Sequence, residues 1–76
     1  MFEDPRIAER FEEIKEILVK NMDELGVHMY VDFINDLTEI RYSIKNRTLT
    51  EVMEDFDRFE LKLNNTLEEI SSKVGL

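Results

Sequence analysis

The chain has no cysteine and no tryptophan, and only one proline, two glycines and one histidine in 76 residues. Without cysteine there are no disulfides, thiolate zinc sites, iron–sulfur clusters or cysteine nucleophiles, which fits an intracellular protein. No apolar run approaches the roughly 18 to 20 residues of a membrane span. The opening Met1-Phe2-Glu3-Asp4-Pro5 lacks the basic start and apolar stretch of a secretory signal, so a cytoplasmic protein without membrane contact is expected. Bases are also scarce. Ten against 18 acids leave a formal charge of −8, which repels phosphate backbones and anionic lipid, so no direct nucleic-acid partner is expected. The deficit is uneven: residues 1–25 carry eight acids and four bases, residues 26–47 three of each, and residues 48–76 seven and three.

With so few glycines and prolines, helices have few places where they must stop. Asp4 before Pro5 is a cap followed by a residue preset for the first helical turn, and Ile7, Phe11, Ile14, Leu18, Met22 and Leu25 then recur at steps of three and four. The spacing predicts a helix over about 5–25, ended by Gly26. Tyr30, Phe33, Leu37, Ile40 and Ile44, widened by Ile34, predict a second over about 28–45. A strand over Val27–Val31 is the minor alternative, since it has no second strand to pair with. Thr48-Leu49-Thr50-Glu51 fits a capping box and opens a third helix over about 49–74, with the stripe Leu49, Val52, Met53, Phe56, Phe59, Leu63, Leu67, Ile70 and Val74.

Short connections make neighbouring helices antiparallel. The expectation is one all-α domain over 1–76, an up-down-up three-helix bundle filled by its own side chains without a cofactor. A chain this small buries little apolar surface, so dimerisation is a natural way to complete its core. The third helix should overhang the first by about one turn, around Ile70 and Val74. Gly26 is the main break between the first two helices, which leaves open a hairpin or an exchange of helices between two chains.

Around each helix at 100° per residue, a few apolar groups fall opposite the core stripe. Val31 and Tyr42, with Asn35 and Thr38 between them, form a ridge on the second helix; Val19 and Leu61 lie outside on the first and third. Single exposed apolar residues are ordinary, but a ridge on the segment without excess charge has the composition of an interface centre. Val31, Asn35, Thr38, Tyr42, Leu61, Ile70 and Val74 are therefore the candidate partner-contact residues.

Carboxylates crowd the first and third helices. Glu13-x-x-Glu16 with Glu54-x-x-Asp57 resembles the paired acidic motifs of the all-α nucleoside triphosphate pyrophosphohydrolases, which implies magnesium held between helices. In projection, however, all four point away from the stripe facing the other helices, whereas a shared metal needs convergent ligands. His28 lies one turn before Asp32 at a helix start, a spacing that allows a hydrogen-bonded pair, and no basic residue stands nearby to receive a phosphoryl group. Glu60 and Arg41 fall on core-facing sides, where they either pair or reach along the edge to water. No catalytic residue, metal ligand or cofactor site is assigned. The reading is an acidic helical protein–protein interaction module, an adaptor, inhibitor or regulator, whose partner is a protein or a second copy in a homodimer. The alternative is an acidic mimic of nucleic acid that blocks a basic DNA- or RNA-binding protein. Less favoured is a small magnesium-dependent hydrolase.

Overall fold

Asp4 caps the first helix as its position before Pro5 suggests. In a computed structural model, which describes residues 4–43 and 47–74, its carboxylate accepts the backbone N–H of Arg6 at 2.9 Å and the Arg6 guanidinium at 3.0 and 3.1 Å. Helix α1 (Pro5–Lys20) stops short of the expected Leu25. The break is at Asn21, whose side-chain amide donates to Ile17 O at 2.8 Å while its backbone N–H is shared between Ile17 O and Leu18 O. Asparagine competes with the helical ladder in this way, and the helix resumes for a single turn as α2 (Met22–Leu25). The offset keeps Leu25 buried but turns Met22, expected in the core, out to 42% exposure.

Gly26 sets the reversal. Its φ of 85° and ψ of 159° belong to a region that only glycine enters freely, and α3 (Val27–Tyr42) starts at once. Val27–Val31 is helical rather than a strand. Helix α3 ends before the expected Lys45, where Ser43 Oγ donates to Ile40 O at 3.0 Å; Ile44, Lys45 and Asn46 lie outside the described residues. The capping box forms as expected: Thr48 N donates to Glu51 Oε1 at 3.1 Å and Glu51 N to Thr48 Oγ1 at 3.2 Å, opening α4 (Leu49–Val74).

The protein is all-helical, four helices in mutual contact within 49 × 19 × 17 Å. Arg10 of α1 reaches Asp57 and Glu60 of α4, and farther along Asn21 and Glu24 share a cleft with Asn64 and Glu68, so α1 and α4 run the same way. Helix α3 runs against both: Arg41, near its end, covers Phe11 near the start of α1, and Phe33 meets Phe59 edge-on with ring centroids 5.6 Å apart. One apolar core results. Ile7, Phe11, Ile14 and Leu18 come from α1, Leu25 from α2, Phe33 and Leu37 from α3, and Val52, Phe56, Phe59 and Leu63 from α4. Helix α2 also touches α4, and Ile70, expected on an overhanging turn, packs half-buried against the core.

Candidate interaction surface

Helix α3 is the most apolar and least one-sided of the three long helices. Nine of its sixteen residues are apolar, yet only Phe33 and Leu37 are buried. Tyr30, Ile34 and Ile40 pack on the core from its edge, and the rest of the apolar surface faces outward. Val31 is 43% exposed and Tyr42 68%, with Asn35 exposed between them. Thr38 is half-buried, and its hydroxyl donates back to Ile34 O at 2.7 Å, so it offers no free donor to a partner.

The structure adds Val27, 73% exposed, one turn before Val31. Sequence reasoning missed it because it began the helix one residue later; the i, i+4 spacing to Val31 was the available signal. The ridge is therefore Val27, Val31, Asn35, Thr38 and Tyr42, none of them charged. Arg41 steadies its far end, with its guanidinium carbon 4.5 Å from the Phe11 ring centroid and 5.6 Å from that of Tyr42. A cation over two aromatic faces ties the exposed tyrosine to the core below.

The other candidate residues are scattered. Leu61 is exposed on α4 and Val19 on α1. Ile70 gives only part of its surface to solvent, and the Val74 side chain lies outside the described residues.

The charged groups form two separate nodes. Arg10, largely buried, donates to Asp57 Oδ1 at 2.9 Å and to Glu60 Oε1, with Glu13 at 3.8 Å. Burial works against its charge, but the hydrogen bonds it donates to Glu60 and Asp57 outweigh that and hold its pKa above the ordinary value. Glu60 thus ties α4 to α1 through Arg10. The second node is Asp55, clasped by Arg47 and by Arg58 Nη2 at 3.0 Å, beside a cleft that Asp36, Glu39 and Lys62 also line. Acids and bases balance there.

Glu13, Glu16, Glu54 and Asp57 are all exposed, and Asp57 is engaged by Arg10. Among the described residues no three histidine, aspartate or glutamate side chains converge where a metal ion could be held. His28 and Asp32 are both exposed and share no hydrogen bond. Among the described residues no helix is long and apolar enough to cross a membrane. Comparison with protein-family models, with curated proteins and with solved structures finds no match to this chain.

Proposed function

We propose that the chain is a helical protein–protein interaction module of the adaptor, inhibitor or regulator kind, with the outer face of α3 as its contact surface. Counting α2 as the tail of α1, the architecture is an antiparallel three-helix bundle. One observation carries the reading: the apolar surface of α3 runs past the side that its own fold covers, leaving Val27, Val31 and Tyr42 exposed. Exposed apolar surface that continues from a core-facing side suits a protein partner.

Binding is favoured over catalysis because the one histidine is exposed and the carboxylates splay outward rather than converge. The mimicry of nucleic acid has less support, since Asp57 and Glu60, on α4, are drawn onto Arg10 instead of forming a free row of charge.

A photo-crosslinking residue in place of Asn35 tests the proposal, with the same residue at Glu9, exposed on α1, as control. Protein adducts at position 35 in excess of those at position 9 are expected. Equal labelling at the two positions, or none at 35, would overturn it.

A further inference from the structure

We propose that the groove between α3 and α4 is a second docking site, whose occupant is an amphipathic helix of another protein with bases along one edge of its apolar stripe and acids along the other. The groove lies roughly 100–140° round α3 from Asn35 and does not depend on the ridge described above.

Its floor is apolar surface that the core leaves uncovered. Met29, 38% exposed, and half-buried Ile40 lie on the side of α3 turned toward α4, beside buried Phe33 and Phe59. Two clefts result, one lined by Met29, Phe33 and Thr66, the other by Ile40 and Phe59, and they join at Asp36 and Lys62, which line both. From Met29 to Ser43 the trough follows α3 for about 21 Å, nearly four helical turns. A helix satisfies its own backbone donors and acceptors, so it can lie in an apolar trough where an extended chain would leave them unpaired. Packed there, it completes a four-helix bundle.

Charge selects which helix fits. The two walls carry opposite sign. From α3 come Asp32, Asp36 and Glu39, four and three residues apart on one side of the helix. From α4 come Arg58 and Lys62, four apart, with Arg47 beyond them, and the carboxylate on that wall, Asp55, is already held by both guanidiniums. The rows do not close on one another. Among the described residues Asp32, Asp36 and Glu39 form no ion pair or side-chain hydrogen bond. Lys62 does not reach Asp36; its ammonium stands 5.8 Å from the centroid of the Phe33 ring, over the groove floor. An occupant basic on both edges would meet Arg58 and Lys62, and one acidic on both would meet the three carboxylates of α3. A helix with one edge of each sign is complementary to both walls, and like charges across such a contact are what exclude other partners. The same asymmetry sets its direction, because a helix laid in reverse exchanges its edges.

Binding of synthetic helices to the full chain tests the proposal. Three peptides about 15 residues long, held helical by a lactam bridge on the outward side, share one leucine stripe and differ only at its edges: lysine and glutamate, lysine on both, or glutamate on both. Fluorescence anisotropy at about 0.15 M salt is expected to show the mixed peptide binding at least about tenfold tighter than either other. Lys62→Gln and Asp36→Asn, at exposed positions, should each weaken it about threefold or more, and Glu9→Gln, on α1, should leave it unchanged. A lysine-only peptide that binds as tightly would mean that the charge of −8 alone draws basic peptides, and would overturn the proposal. So would equal binding of the glutamate-only peptide, no binding of the mixed peptide up to about millimolar concentration, or binding undiminished in both Lys62→Gln and Asp36→Asn. The photo-crosslinker at position 35 reports on the ridge and not on this groove, so either reading can fail without the other.

Discussion

Replacing Leu37 with alanine should cost this protein a large part of its stability. Leu37 is one of only two buried residues of α3, with none of its surface exposed, and it packs in the single core cluster. Truncation removes three buried carbons and leaves a cavity that surrounding helices close only partly, at a cost of about 3–4 kcal/mol. A chain of this length has a total of roughly 4–11 kcal/mol to lose. The melting temperature should then fall by roughly 12–30 °C, at about 4–8 °C per kcal/mol for a domain of this size. Urea denaturation followed by circular dichroism, at a concentration where the chain is monomeric, measures the change directly. The expected result is a lower midpoint at unchanged slope. Val31→Ala, on the exposed side of the same helix, should shift stability by less than about 0.5 kcal/mol. A Leu37→Ala variant within about 1 kcal/mol of the parent would refute the argument that two residues anchor α3.

Other substitutions address single features. Gly26→Ala meets open space, so its cost is wholly conformational: φ of +85° is strained for any side chain, and a loss of about 1–3 kcal/mol in urea titration is expected. Arg10→Met should keep most of the packing and lose the ties to Glu60 and Asp57, destabilising by about 1–2 kcal/mol and leaving less salt dependence than the parent shows. The capping box predicts a pH effect. The Thr48 backbone N–H, then its hydroxyl, holds the Glu51 carboxyl below its ordinary value of 4.5, so its stabilisation is fully present above that pH and lost as pH falls through the lowered value. The Thr48→Ala variant should be less stable than the parent by about 1 kcal/mol at neutral pH, and the gap should shrink in acid. A gap that widened in acid would show the opposite sign.

Much of the fold was legible in the chain. The cap at Asp4, the capping box at Thr48 and Glu51, and the three-and-four spacing of Phe11, Leu37, Phe56 and Leu63 are local patterns, and local patterns follow from hydrogen-bond donors and helical geometry a few residues apart. The break at Asn21 was missed because a continuous apolar stripe ran across it. One side-chain amide competing for the Ile17 carbonyl was enough to interrupt the helix and expose Met22.

Four of the five ridge residues, Val31, Asn35, Thr38 and Tyr42, were also legible, because their phase on the helix depends only on spacing. What the sequence by itself determined was where helices form and which side of each is apolar, since both are set by neighbours three or four positions away. Only the tertiary structure decided how much of each apolar side is used. Burial depends on which helices meet and at what height, so only the packed chain joins Arg10 to Glu60, covers Ile70, and leaves Val27 and Tyr42 bare at the two ends of α3.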